Sequence, residues 1–274
     1  MTRIALVVSD VDGTLLTKDK VLTERAAKVA RRLHECGVAF TLTSSRPAIG
    51  MRFLIEPLQI SLPVGPFNGS SIIGADMRPL EQSLIPPAAA ARCVDLLQQS
   101  RVDIWVFTND AWLTRNPDGE YVPNERRAIR AEPTIVDDFS PYLSNACKIV
   151  GASSDFELLA HCESQMQQTL GTEATAVRSQ SYYLDITPPG RNKGTFVTAM
   201  AKRLGVPLDQ VATIGDMHND VAMFEVSGLS IAMGNASDEV KSKAKRITTS
   251  NQDEGFANAM EMILAENAQG SSAS

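Results

Sequence analysis

Asp10 and Asp12 stand two positions apart, directly after the apolar run Ile4-Ala5-Leu6-Val7-Val8 and Ser9, and Gly13-Thr14 follow them. Two carboxylates at one strand end repel each other unless a cation or a proton intervenes, and a hard cation with oxygen ligands, such as Mg²⁺, answers that need. A lone Asp-x-Asp is also a common turn, with each carboxylate capping backbone amides; the strand before and the Gly-Thr after favour a site. Three further polar clusters recur in similar places. Thr43-Ser44-Ser45-Arg46 offers hydroxyls, amides and a guanidinium to an anion, although it serves equally well as an N-cap for a helix after Pro47. Lys193-Gly194 opens a helix after a Pro-Gly break, where a lysine can neutralise a carboxylate and a phosphate together, the plainer reading being a surface lysine. Gly215-Asp216-Met217-His218-Asn219-Asp220 adds two carboxylates and an amide; His218 fits a rim or structural role better than that of a general base.

The elements that must position these clusters alternate between apolar strands and amphipathic helices, the pattern of a parallel sheet wrapped by helices. After the first strand, Thr23 predicts an N-cap for a helix with Ala27, Ala30 and Leu33 on one face, closed by Gly37. A strand is expected at Val38 to Leu42, a helix opening near Pro47, and a short strand leading to Phe67-Asn68-Gly69. Toward the other end the pattern predicts a helix from Lys193 to Leu204, ended by Gly205. A strand from Val211 to Ile214, a helix from His218 to Val226, a strand from Leu229 to Ala232 and a helix from about Gly255 to Ala265 follow. The tail Gln269-Gly270-Ser271-Ser272 is expected to be disordered. Ligands in such open α/β sheets bind beyond the carboxyl ends of the strands, where the four clusters fall.

The middle of the chain differs. It predicts a helix from Ala88 to Gln99, β pieces at Asp103 to Phe107, Trp112 to Arg115 and Ala146 to Val150, a helix from Asp155 to Leu170, and paired strands at Thr175 to Arg178 and Tyr182 to Ile186. Pro86-Pro87 and Pro188-Pro189-Gly190 bracket it, which suggests an inserted α+β domain at 86–189 within a core formed by 1–85 and 190–274. Within the insert, Arg115, Asn116, Tyr182 and Tyr183 are candidates either for contact with a sugar or for ordinary packing.

The bulk composition narrows the partners. Lys and Arg total 26 against 32 Asp and Glu, and no basic run is long enough to track a phosphate backbone, so nucleic acid is disfavoured while a small anion is not. The cysteines at 36, 93, 147 and 162 are scattered without a Cys-x-x-Cys and read as buried reduced thiols. No apolar stretch reaches membrane-spanning length, and the first is too short for a signal peptide, so no membrane partner and a cytoplasmic location are expected. Oligomeric state does not follow from these features.

Taken in order, the four clusters resemble those of the haloacid-dehalogenase-like hydrolase superfamily, and the long insert resembles the Cof-type sugar-phosphatase branch with a C2 cap of type B. The resemblance implies a Rossmann-like core, Mg²⁺ as cofactor and a small phosphorylated metabolite as substrate. It implies Asp10 as nucleophile and metal ligand, and Asp12 as general acid/base that also binds metal through its backbone carbonyl. Lys193 would steady nucleophile and phosphate, Asp216 would ligate the metal and Asp220 would support the metal shell. Ser44, Asn68 and Asn219 would contact phosphate or substrate, with Arg46 facing the cap. Relatives often carry Thr-Gly-Arg where this chain has Ser44-Ser45-Arg46, so Ser44 rather than Thr43 is favoured by register. An acid at position 12 argues against dehalogenation and against a P-type ATPase cycle. Two other functions stay open at this stage: a phosphomannomutase-like sugar phosphomutase, and a phospho-ligand binding protein without turnover.

Overall fold

In the computed structural model, which describes residues 2–271, the chain divides into two compact units. The first comprises Met1–Ser45, Phe53–Arg78 and Asn192–Ser274; the second comprises Arg46–Arg52 and Pro79–Arg191.

The first unit is built on a five-stranded, wholly parallel sheet. Its order is Arg246–Ile247, Leu229–Ala232, Val211–Gly215, Leu6–Ser9, Ala39–Leu42. Leu6–Ser9 is buried along its whole length, as a strand covered on both faces must be. One face is filled by Phe196, Val197 and Met200 of the helix Lys193–Leu204 and by Met223 and Phe224 of the helix Val221–Val226, against Leu6 and Val8. The helices Glu24–Glu35 and Gly255–Ser271 also pack together, and Phe256 meets Phe40 at 5.8 Å between ring centroids. The chain leaves Leu6–Ser9 for one neighbour and later enters the other, so the sheet reverses its winding at this strand. The carboxyl ends of Leu6–Ser9 and Val211–Gly215 therefore flank a switch-point crevice. Register sets the detail: Ser9 pairs with Ile214, and the next residues, Asp10 and Gly215, emerge side by side.

Local signals hold where a cap decides the boundary. Thr23 Oγ1 accepts from the Ala26 amide at 3.1 Å and starts the helix Glu24–Glu35, and Gly37 follows in a left-handed conformation. Other boundaries differ. The region after Pro47 forms a single three-residue turn at Ala48–Gly50 before the four-residue helix Arg52–Ile55. The strand expected before Phe67 is reduced to isolated bridges, Thr43 to Gly65 and Val64 to Ile73. The segment from His218 begins as a tight turn at His218–Asp220 and only then becomes the helix Val221–Val226. The helix Asp238–Lys243, capped by Ser237, and the strand Arg246–Ile247 are too short to show periodicity in sequence. The last helix runs to Ser271, so Gln269, Gly270 and Ser271 are helical where a disordered tail was expected; Ser272 lies outside the described residues.

The second unit is a six-stranded sheet ordered Thr134–Ile135, Trp112–Thr114, Asp103–Phe107, Lys148–Ala152, Tyr183–Thr187, Thr175–Gln180. Every pairing is antiparallel except that between Trp112–Thr114 and Thr134–Ile135. Alternate residues Ile104, Val106, Ile149, Leu184 and Ile186 face the helices Pro87–Gln99 and Phe156–Leu170, a period-two pattern proper to a sheet covered by helices on that face. The helix Val122–Ile129 escapes a reading by periodicity because it has only eight residues, with Pro123 in its first turn. Arg115 donates to Gln98 and lies over the Phe139 ring, Asn116 donates to Asp103, and Tyr182 stacks on Tyr121 at 4.7 Å. None of the four cysteines is in a disulfide; Cys93, Cys147 and Cys162 are buried, whereas Cys36 is exposed, contrary to expectation, because it caps a surface helix. Among the described residues, no helix is long and apolar enough to cross a membrane.

Candidate active site

Three of the four clusters meet at the switch point of the first unit. Lys193 is the first residue of its helix, set there by a capping box: Asn192 Oδ1 accepts from the Thr195 amide at 3.0 Å, and Thr195 Oγ1 accepts from the Asn192 amide at 3.2 Å. A cation at the positive end of a helix dipole is unfavourable, and this one is also only 1% exposed. The compensation is local. Lys193 Nζ donates to Asp10 Oδ1 and to Asp220 Oδ1, at 2.6 Å each. Burial would push the ammonium down, but the Asp10 and Asp220 charges outweigh it and hold Lys193 above its usual value.

Asp220 spends its other oxygen on the turn that presents it, accepting from the Asp216 and Met217 amides at 2.9 Å each. The chain passes so closely here that a Cβ on Gly215 would fall 2.3 Å from Asp220 Cγ, so this position needs a glycine. Asp216 accepts through Oδ1 from Thr14 Oγ1 at 3.0 Å and through Oδ2 from Asn235 Nδ2 at 3.2 Å. Gly13 is required twice over: its φ is +80°, and a Cβ would lie 2.2 Å from Asp216 Oδ2.

One oxygen from each of Asp10, Asp216 and Asp220 lies within 4.8 Å of the others, the one such acidic group found among the described residues. Three buried carboxylates face one ammonium, and the surplus negative charge has a titration signature. Burial first, then the Asp220 charge, pushes the Asp216 carboxyl up to about 7. Burial likewise holds Asp10 well above the ordinary carboxylate range; Lys193 pulls against it, while Asp220 and Asp216 reinforce it. A hard divalent cation with oxygen ligands would relieve this surplus.

The remaining expected residues are placed as follows. The Asp12 carboxylate lies outside the acidic group and pairs with Lys20 Nζ at 2.7 Å. Ser44 is fully buried; its carbonyl accepts from the Asn68 amide at 2.7 Å, while the neighbouring Thr43 hydroxyl donates to the Gly65 carbonyl at 2.9 Å. Asn68 holds a left-handed conformation, φ +57°, and its Oδ1 accepts from Asn219 Nδ2 at 2.9 Å, bringing these two expected residues together. Arg46 belongs to the second unit, where Nη1 donates to the Gly50 and Ala128 carbonyls. His218 is exposed and pairs with Glu239 at 3.2 Å, a rim position. Sequence reading missed Asn235. It donates to the Gly13 carbonyl at 2.9 Å as well as to Asp216, and its Oδ1 accepts from the Asn251 amide. Its signal was available, since Gly234-Asn235 closely follows the strand Leu229–Ala232.

A parallel sheet with this strand order and a buried Asp–Lys–Asp–Asp cluster at its switch point defines a Rossmann-like α/β core with its site at the strand ends. The profile of the haloacid dehalogenase-like hydrolases matches residues 7–260, and the chain belongs to that family. The 5-amino-6-(5-phospho-D-ribitylamino)uracil phosphatase YwtE of Bacillus subtilis is 27% identical, over 93% of this chain and 96% of its own. The pyridoxal phosphate phosphatase YbhA of Escherichia coli is 24% identical, over 92% and 96%. The crystal structure of a haloacid dehalogenase-like hydrolase from Bacteroides thetaiotaomicron superposes with a TM-score of 0.90 at 26% identity, covering 95% of this chain and 100% of that one.

Proposed function

We infer that this chain is a phosphoric monoester hydrolase acting on small phosphorylated metabolites, with Asp10 as nucleophile. The observation that carries the reading is the 2.6 Å contact between Asp10 and Lys193 beside Asp216 and Asp220. Relatives named as phosphatases of a phosphoribitylamino-uracil and of pyridoxal phosphate support the size and class of substrate. Sugar phosphates are the members of that class we propose, with the insert at 86–189 as a type C2B cap on the core and a cytoplasmic location.

In the first step an Asp10 oxygen forms a bond to phosphorus as the ester P–O bond breaks, and Asp12 gives its proton to the departing alkoxide. In the second, water attacks the phosphorus of the aspartyl-phosphate and Asp12 takes the water's proton; inorganic phosphate leaves and the Asp10 carboxylate is restored. Lys193 lies against Asp10 and offsets the charge that gathers on the phosphoryl oxygens, so the transfer depends on positioning and electrostatics. Ser44, Asn68 and Asn219 are proposed to hold phosphate or substrate, with Arg46 as a further anion contact. Ser44 is preferred to Thr43 by its register with Arg46.

The donor set suits Mg²⁺. Asp10 and Asp216 are the proposed side-chain ligands, joined by the Asp12 backbone carbonyl, and Asp220 supports them from behind, its oxygens held by Lys193 and two amides. When bound, the ion would add positive charge against the transferred phosphoryl group. A panel of phosphorylated metabolites, assayed for phosphate release with Mg²⁺ and with chelator, tests the reading. Release from one or more esters, lost on chelation, is the expected result; no release from any ester with Mg²⁺ would overturn it.

A further inference from the structure

Lys20 belongs to none of the four clusters, yet its ammonium lies 2.7 Å from Asp12 Oδ1. The loop that delivers it is constrained at several points. Thr17 and Val21 exchange bonds across it: the Thr17 amide donates to the Val21 carbonyl at 3.0 Å, and the Val21 amide donates to Thr17 Oγ1 at 3.2 Å. Lys20 closes the turn with its amide on the Thr17 carbonyl at 2.9 Å and adopts φ +60°, a left-handed conformation that a lysine does not choose for itself. The same loop is pinned from outside, where Gln252 Oε1 accepts from the Lys18 amide and Asn251 Nδ2 donates to the Leu16 carbonyl, at 2.9 Å each. A freely solvated surface pair has no need of such a frame, and most are worth little.

We propose that Lys20 is a positioning residue that fixes the orientation of the Asp12 carboxylate for proton transfer to the leaving group. The proposal rests on the phosphatase reading above. A carboxylate on a short side chain rotates freely about two bonds. Holding one oxygen at a defined point fixes where the other can deliver a proton, and misplacement of a transferring group by an ångström is costly. In the transfer step the proton moves from Asp12 to the ester oxygen as its bond to phosphorus breaks; Lys20 neither gives nor takes it.

The test compares kcat/KM, which covers the steps up to phosphoryl transfer to Asp10, for an aryl and an alkyl phosphate. p-Nitrophenolate departs without protonation, whereas the alkoxide of glycerol phosphate needs its proton. Lys20→Met is expected to raise the aryl-to-alkyl ratio of kcat/KM by about 10-fold, a fraction of the roughly 10²–10⁴-fold that general acid catalysis supplies, because Asp12 itself remains. Lys20→Arg is expected to bring the ratio back toward the wild-type value. An unchanged ratio in Lys20→Met, whatever its effect on overall rate, overturns the role assigned to Lys20 and leaves the phosphatase reading standing. Failure of the wild-type enzyme to release phosphate from any ester overturns both.

Discussion

Lys193 Nζ lies 2.6 Å from Asp10 Oδ1, joining residues 183 positions apart in the chain. The contact places a cation at the buried start of a helix, where the backbone dipole opposes it, so its stability depends on the carboxylates it meets. Folding energy alone would be better served by apolar residues in place of the whole cluster, since replacing every member of a buried charge group with well-packed hydrophobic side chains is often neutral or stabilising, whereas removing one partner is not. The arrangement is therefore most economically explained by chemistry.

Asp10→Asn is expected to reduce phosphate release by at least about 10³-fold, since an amide does not replace the attacking carboxylate. It should leave the thermal midpoint in chelator unchanged or raised, because it removes one of three crowded carboxylates while Lys193 keeps Asp220. Phosphate assays and calorimetry on the same preparation check both halves; near-normal turnover would sink the mechanism.

Lys193→Met removes the one ammonium in contact with the acidic pair and is expected to destabilise the chelated protein by about 3–5 kcal/mol at pH 8, the usual cost of leaving a buried partner unpaired. Urea unfolding measures it. Mg²⁺ should recover part of the loss, and a cost below about 1 kcal/mol would show that the cluster relaxes without its cation.

Stability without metal should fall as pH rises toward neutrality. The folded state holds the Asp216 proton up to about 7, whereas the unfolded chain releases it near the ordinary value of 3.8. The contribution from this group is thus fully present below about 3.8 and is lost by about 7, with Asp10 acting in the same direction. Thermal midpoints in chelator are expected to favour wild type over Asp216→Asn at about pH 4 and to reverse by about pH 8. Added Mg²⁺ should stabilise wild type more at the higher pH, because it must displace those protons. A wild-type-minus-variant difference that does not change with pH would contradict this.

Asn235→Ala should weaken the apparent affinity for Mg²⁺ by about 10-fold, the lower range for a residue that orients a metal ligand. Asn235 itself is exposed, so the change in folding stability should stay near 1 kcal/mol. Titration of activity against Mg²⁺, alongside urea unfolding, separates the two. Equal loss at saturating metal would mean that its bond to the Gly13 carbonyl matters more than its bond to Asp216.

The sequence by itself determined the polar clusters at strand ends, the alternation that demands a parallel sheet, and the helix starts signalled by Thr23, Asp155 and the Lys193 segment. These are local properties: a cap needs a hydroxyl, carboxylate or amide within three residues of the amide it binds, and a buried strand needs an unbroken apolar run. The same logic reached Asp10, Lys193, Asp216 and Asp220. It failed where an element was too brief for a period, as at Arg246–Ile247 and His218–Asp220, or where a pattern persisted past its expected end, as in the helix running to Ser271. Only the tertiary structure decided which oxygen of Asp220 meets Lys193, that Asn235 ties Gly13 to Asp216, and that Lys20 rather than the acidic group holds the Asp12 carboxylate. The frame for those relationships is set by the register of Ser9 with Ile214 and by contacts that close across more than two hundred residues: Thr14 to Asp216, Asn235 to Gly13, and Gln252 to the Lys18 amide in the Lys20 loop. Pairing between distant segments is a property of the packed sheet, and neither composition nor local spacing encodes it.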